Sequence, residues 1–413
     1  MATAVRVRGE DLVLIPTFTP LRTDEENVSQ QRLFFGGLNV YLQEKSALFR
    51  RTPWFFDKLL DSPRLLNWLT KKSGSTKASD LGALTVSTLR GEHGRQSKEL
   101  RKLLDWLADD FRPDLVHISN ALLVGIAGPI RRRLNVPVVC GLMGEDIFLE
   151  ELPEPHYGEA RALLREKSRD VDAFVALNRY YGEMMSEYLD VPPAKIEVIR
   201  HGLNLAGHSP RVRPEPRSEI VIGYFGRIAP EKGLHLLLEA FALLCGESGL
   251  PPLRLRAAGY MSALDVPYWE RLLARTKELG LEDRVEYVGE VDRAGKIAFL
   301  QSLDIFAEPT VYRESKGLAV LEAWANGLPA VLPRHGTFPE YIEETGGGVL
   351  HEPESPPALV AAMRPLILDP RQGDELGRAG AAVVRERFTA DVMAERHLEL
   401  YRRLVEKPVA VRA

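Results

Sequence analysis

Short apolar runs alternate along this chain with longer amphipathic stretches, the order that builds parallel sheets from strand–helix units. Five runs in the first half, at 12–15, 115–118, 136–140, 173–176 and 196–199, have the length of buried strands. Five more follow in the second half, at 220–225, 253–257, 285–288, 305–307 and 330–332. Between them apolar residues return at helical spacing, as Leu234, Leu237, Leu238, Phe241 and Leu244 do. The pattern predicts an α/β chain with a parallel sheet in each half. The halves part near 205–218, where SPRVRPEPRSE has the prolines and charges of a linker. The expected division is a first domain over 1–205, a second over 206–386 and a terminal segment over 387–413, helical across 389–405.

Composition narrows the function classes. A length of 413 residues suits two domains, and a net charge of −4 provides no basic field for nucleic acid. The two cysteines, Cys140 and Cys245, stand far apart with no CxxC partner. That excludes a disulfide framework and points to a reducing cytoplasm. No cluster with metal-ligand spacing is present, so no metal site and no cofactor are expected. The N-terminus lacks the apolar stretch of a signal peptide, and the longest apolar run, 121–130, is too short to span a bilayer. Segment 50–77 stands apart, with seven Lys/Arg against two Asp, and Trp54, Phe55, Phe56 and Trp68 among its apolar residues. It reads either as a helical hairpin packed on its own domain or as a basic amphipathic surface for peripheral contact with the inner membrane face.

Four segments carry chemistry. In EIVIGYFGRIAPEKGLHLLLEAF a strand ends at Phe225 and a turn from Gly226 to Gly233 leads into a helix, with Arg227 and Lys232 five positions apart. Glycines admit an anion to the backbone, a helix N-terminus favours phosphate, and an Arg with a Lys suits a diphosphate. In EPTVYRESKGLAVLEAWANGLPAVLP, seven residues separate Glu314 from Glu322, Gly317 opens a helix and Gly327 closes it. Eight steps along a helix span about 12 Å, so the two carboxylates would reach different parts of one extended ligand rather than form an acid pair. Glu322, flanked by Leu321, Ala323 and Trp324, requires a partner if it is partly buried. RHGTFPEYIEETGGGVL has a turn at Gly336, a helix start at Pro339–Glu340 and a helix stop at Gly346–Gly348. Gly36 and Gly37, in FFGGLNVY, would admit a phosphate or sugar close to the backbone. Each segment alone is also compatible with an ordinary connection between strand and helix.

Taken together, FFGGLNVY, PDLVH, VPVVCGLMGED, RHGLN, GYFGRIAPEKGLHLLLEAF and ESKGLAVLEAWANGLPAVLPRHGTFPE make the chain resemble family 4 glycosyltransferases of the GT-B class over essentially its whole length. The resemblance implies two Rossmann-like domains facing across a cleft, with a nucleotide-sugar donor held by the C-terminal one and the final helix returned to the N-terminal domain. It implies that Arg227 and Lys232 hold the diphosphate, that Glu314 meets the donor sugar, that Glu322 meets the ribose, and that Gly37 lies beside the donor phosphates. Gly317 and Leu318 join the donor site with Glu314, and the segment around Gly289 is where the family holds the base. One position departs from the pattern. Where the family has His-Gly, this chain has Met143-Gly144, and a thioether can neither donate nor carry a proton. Glu145 is a candidate for the missing polar contact, whereas Asp146 reads as a helix cap.

The activity so implied is metal-independent transfer of a sugar, with retained anomeric configuration, from a nucleotide-diphosphate donor to an unidentified acceptor. Arg227, Lys232 and Glu314 are the expected catalytic set, and Met143 and Glu145 are possible sugar-side positions. A nucleotide-sugar epimerase, a sugar phosphorylase, a non-catalytic nucleotide-sugar binding protein and a membrane-surface adaptor are the alternatives. Donor base, sugar, acceptor and oligomeric state are not specified by these residues.

Overall fold

A computed structural model describes residues 1–17, 78–210 and 219–406. Gly36, Gly37 and segment 50–77 therefore lie outside the described residues, as does most of the 205–218 linker. The chain forms two compact units, Met1–Ile199 with Ala394–Ala413, and Arg200–Met393.

The first unit carries a four-stranded parallel sheet in the order β1 (Val116–Ile118), β2 (Val138–Gly141), β3 (Ala173–Ala176), β4 (Ile196–Val198). Every residue of β2 and β3 is buried, as expected of central parallel strands covered on both faces. Four of the five apolar runs in this half become these strands within two residues. The run at 12–15 does not: Leu14 makes only a single bridge, and Leu12 packs with Val5, Ala394 and Leu398. Leu12 thus goes to the two terminal helices, Ala2–Val7 and Ala390–Val405, while Ile15 packs against the core under the sheet without joining it as a strand. The terminal helix is also tied to β1, where His117 Nδ1 lies 2.6 Å from the Tyr401 hydroxyl.

The second unit carries six parallel strands: β5 (Ile220–Phe225), β6 (Leu253–Ala258), β7 (Val285–Gly289), β8 (Ile305–Ala307), β9 (Ala330–Pro333) and β10 (Gly348–His351). Their order is β10-β9-β8-β5-β6-β7. Alternate residues of β5 feed opposite layers: Ile220, Ile222 and Tyr224 join Leu237, Leu238 and Phe241 on one face, and Val221 joins Phe306, Leu321 and Trp324 on the other. β10 escapes the hydrophobic pattern because glycines occupy its start. Gly346, at φ +61°, ends the preceding helix, and a Cβ on Gly348 would fall 1.9 Å from the Ala330 carbonyl oxygen. What reads as a helix stop is thus a stop followed at once by a strand.

This order matters for function. From β5 the chain proceeds outward through β6 and β7, then returns to the other flank of β5 with β8 and continues to β9 and β10. The chain leaves β5 and β8 toward opposite faces of the sheet, and in open α/β sheets such a switch point is where the ligand crevice lies, at the carboxyl ends of the strands.

Candidate donor site at the parting of β5 and β8

The loop after β5 is fixed by backbone bonds to its neighbours. Gly226 N–H donates to the Ala258 carbonyl at 3.1 Å and Ile228 N–H to the Tyr260 carbonyl at 2.8 Å. The Tyr224 hydroxyl donates to the Arg227 carbonyl at 2.7 Å. Across the crevice, Val311 N–H donates to the Glu231 carbonyl at 2.9 Å. Gly233 then takes φ +77°, and a Cβ there would sit 1.8 Å from the Pro309 carbonyl oxygen. The glycine is needed both for its left-handed backbone and for the close approach of the two loops. Gly233 and Gly317 are the N-caps of helices Leu234–Cys245 and Leu318–Ala325, and neither helix has a side-chain cap or an acid in its first turn. Both helices follow strands of the same parallel sheet, so both present their positive ends to the same edge.

Lys232 and Glu314 meet at this edge: Lys232 Nζ is 2.7 Å from Glu314 Oε2 and 3.5 Å from Glu308 Oε1. Glu314 is held on every side. Its Oε2 accepts from the Tyr312 hydroxyl at 2.5 Å, and its Oε1 accepts from the backbone N–H groups of Ser315 and Lys316 at 3.1 and 3.0 Å. Its backbone is clasped as well, with the Thr337 N–H donating to the Glu314 carbonyl at 2.8 Å. Burial pushes the Glu314 carboxyl up, but the Lys232 ammonium, the Tyr312 hydroxyl and the Lys316 N–H outweigh it and hold the group down to about 2. Lys232 responds in the complementary direction. Burial lowers it, and the two carboxylates more than reverse that, keeping it charged.

Glu308, one residue past β8, is a member of this group that the sequence reading missed. It is 2% exposed and its Oε2 has no hydrogen-bond partner. Burial raises its carboxyl to about 7 against the opposing pull of Lys232. A signal was present: an acid directly after the apolar run IFA can only lie at the strand's carboxyl end.

The other expected residues are spread along the same sheet edge. Arg227 is on the Lys232 loop, but its side chain is 48% exposed and pairs with Glu231, with Asp265 at 4.0 Å. The two cations thus serve different acids here. Glu322 has the partner its apolar neighbours required: Lys296 Nζ lies 2.5 Å from its Oε1 and 5.9 Å from the centre of the Phe225 ring. Among the described residues no hydrogen bond or ion pair joins this couple to Lys232 and Glu314. Lys296, on helix Arg293–Gln301, has no motif of its own, which is why the sequence does not expose it. Leu318 packs into the layer under β8 and β9. Gly289 ends β7 at φ +92° with open space where a Cβ would be, and its carbonyl accepts from the Gly259 N–H at 3.0 Å.

In the first unit, Glu145 is spent on structure. Its Oε1 accepts from the Ala121 N–H at 2.6 Å, and its Oε2 from the Met143 N–H at 2.7 Å and the Tyr181 hydroxyl at 3.1 Å. Burial raises its carboxyl, and these donors oppose the rise. It organises the half-buried Met143 through the backbone. Asp146 is not the cap: Gly144, at φ +85°, holds that position, and Asp146 lies inside the first turn, accepting from Tyr181 at 2.7 Å. The glycine takes the cap because the chain turns there through left-handed backbone that aspartate adopts less readily. Replacing Glu145 with alanine would leave the Ala121 and Met143 N–H groups without their acceptor, while the Tyr181 hydroxyl keeps Asp146. The expected loss is about 2–4 kcal/mol, read as a lower midpoint in denaturant unfolding.

Comparison with known proteins places this architecture. Residues 83–206 match the family described as Glycosyltransferase Family 4, and residues 208–383 the family described as Glycosyl transferases group 1. The D-inositol 3-phosphate glycosyltransferase of Segniliparus rotundus is 28% identical over 71% of this chain and 66% of its own length. The GDP-mannose-dependent alpha-(1-6)-phosphatidylinositol monomannoside mannosyltransferase of Mycolicibacterium smegmatis is 26% identical over 65% of this chain and 70% of its own. The chain spans 66%, 67% and 55% of three D-inositol 3-phosphate glycosyltransferases it matches. Among solved structures, Anabaena Alr3699/HepE in complex with UDP superposes with a TM-score of 0.65 at 20% identity, over 76% of this chain and 84% of that one. A glycosyltransferase from Rickettsia africae gives 0.62 at 16% identity, over 90% and 96%. These structures share the GT-B fold with the chain.

Proposed function

The chain belongs to glycosyltransferase family 4, and from that premise we propose that it is a retaining glycosyltransferase whose nucleotide-sugar donor lies along the carboxyl edge of the six-stranded sheet. The observation that carries the reading is the buried Lys232–Glu314 pair at the parting of β5 and β8, between two helix N-termini without acidic caps. A diphosphate there meets the Lys232 ammonium and the backbone N–H groups of both helices, with Arg227 at the open end of the loop. As the bond between the anomeric carbon and the phosphate oxygen breaks, negative charge grows where those positive groups already stand. The acceptor oxygen attacks from the same face, and its proton passes to the departing phosphate. Glu314 accepts from the sugar hydroxyls and Glu322 from the ribose. The positive charge comes from side chains, so the step calls for no metal and no cofactor. No helix of the described residues is long and apolar enough to cross a membrane. Both cysteines are free, which supports a cytoplasmic location.

The test is a thermal-shift panel of nucleotide sugars, including UDP-linked and GDP-linked donors because a structural neighbour holds UDP and one relative is GDP-mannose-dependent. A donor at a hundredfold excess over its dissociation constant stabilises the protein by about 2.7 kcal/mol, a shift of several degrees. A flat response to every nucleotide sugar would count against the reading.

A further inference from the structure

Lys232 has two carboxylates to neutralise, and they are not equally able to lose it. Glu314 keeps three other donors, the Tyr312 hydroxyl and the Ser315 and Lys316 N–H groups. Glu308 has none: its Oε1 has only the 3.5 Å contact with Lys232 and its Oε2 is unpartnered, in a side chain almost wholly buried. If Lys232 turns to a bound diphosphate, Glu314 remains solvated by protein dipoles. Glu308 is left as a buried carboxylate without a counterion, beside a new dianion. A charge in that position is far costlier than the neutral acid.

We propose that Glu308 takes up one proton from solvent when the donor diphosphate engages Lys232, making donor binding proton-coupled. The inference rests on the donor-site reading above. It names a residue that senses occupancy of the site rather than one that touches the sugar. The other groups facing Glu308 do not titrate with it near neutrality. Tyr224 on β5 and Tyr312 in the loop after β8 are raised by burial and stay neutral. Lys232 stays charged and Glu314 ionised, as described. His335, which contacts the Thr310 carbonyl at 3.0 Å, is lowered by burial and stays uncharged. Glu308 alone of this group sits at about 7, which supports a response just above neutral pH.

The experiment is titration calorimetry of the whole protein with UDP-glucose and with GDP-mannose, whose diphosphates are fully ionised near neutrality. It is run slightly above neutral pH in buffers of different ionisation enthalpy. The wild-type heat should depend on the buffer with a slope approaching one proton taken up. Its affinity should fall by up to about tenfold per pH unit as pH rises beyond 7. Glu308→Gln should bind with buffer-independent heat and a flat pH profile. Binding without proton uptake in the wild type, or equal uptake in Glu308→Gln, would overturn this proposal alone. Failure of both sugar nucleotides to bind would overturn the donor-site reading and this proposal with it. The wild-type measurement decides even if the variant is unstable.

Discussion

Lys232→Ala should reduce sugar transfer by about two to three orders of magnitude, the typical cost of removing one group positioned on developing charge. The loss should appear in kcat as well as in donor affinity, because an ammonium on a departing diphosphate acts more strongly in the transition state than in the bound donor. The same change strips the counterion from two buried acids, Glu308 and Glu314. Breaking a buried pair from one side costs about 3–5 kcal/mol, so a lower melting temperature accompanies the loss of activity. The two effects separate in the double variant Lys232→Ala, Glu308→Gln. Removing the acid that has no other partner should restore part of the stability and none of the transfer. Turnover within a few fold of wild type in the folded Lys232→Ala protein would defeat the assignment of this residue to the diphosphate. The pH dependence of stability has two parts. Glu314, held at about 2, contributes stability that is present above its ordinary value and lost as pH falls through about 2. Glu308, raised to about 7, acts in the opposite sense, and its contribution is lost as pH rises through about 7.

The sequence exposed those parts of this site that depend on spacing. Strand, glycine turn and helix follow one another in GYFGRIAPEKGLHLLLEAF with a period that only a strand–helix unit satisfies, and this places Lys232 at the sheet edge. The Glu314–Glu322 interval likewise puts one acid in a loop and the other a helical turn inside. What spacing cannot supply is the partner of a side chain across the sheet. Glu308 and Lys296 belong to elements remote in sequence from the residues they pair with, and each looks like one more polar residue beside an apolar run. Glu145 shows a second limit of spacing. An acid after a strand near the family's sugar-side position invites a functional reading, yet it satisfies backbone donors that a three-dimensional turn leaves unpaired. Strand β10 was illegible because its first residue is a glycine chosen for close backbone approach, which carries no hydrophobic signal.

Gly233→Ala should be among the most damaging single methyls in the second unit, and a matched control isolates the reason. At φ +77° the alanine pays the left-handed backbone cost of about 1–2 kcal/mol. Its Cβ would also fall 1.8 Å from the Pro309 carbonyl oxygen, a backbone atom that cannot swing aside as a flexible side chain would. Relief requires the loops after β5 and β8 to separate, at an overpacking cost of about 1–3 kcal/mol. Gly249 has φ +88° and nothing within 4 Å of its Cβ position, so Gly249→Ala pays the conformational cost alone. The difference in unfolding midpoint between the two variants therefore measures the contact between the loops. Gly233→Ala should be the less stable by about 1–3 kcal/mol, or roughly 2–12 °C for a unit of this size. Function should diverge further than stability. Separating the loops moves Lys232 away from Glu308 and Glu314, and a displacement of about 1 Å in a positioning group costs on the order of a hundredfold in rate. Gly249→Ala should retain wild-type transfer. Equal midpoints and equal activities for the two variants would show that the Gly233 turn does not press on Pro309, and that the crevice between β5 and β8 is not held in shape by that contact.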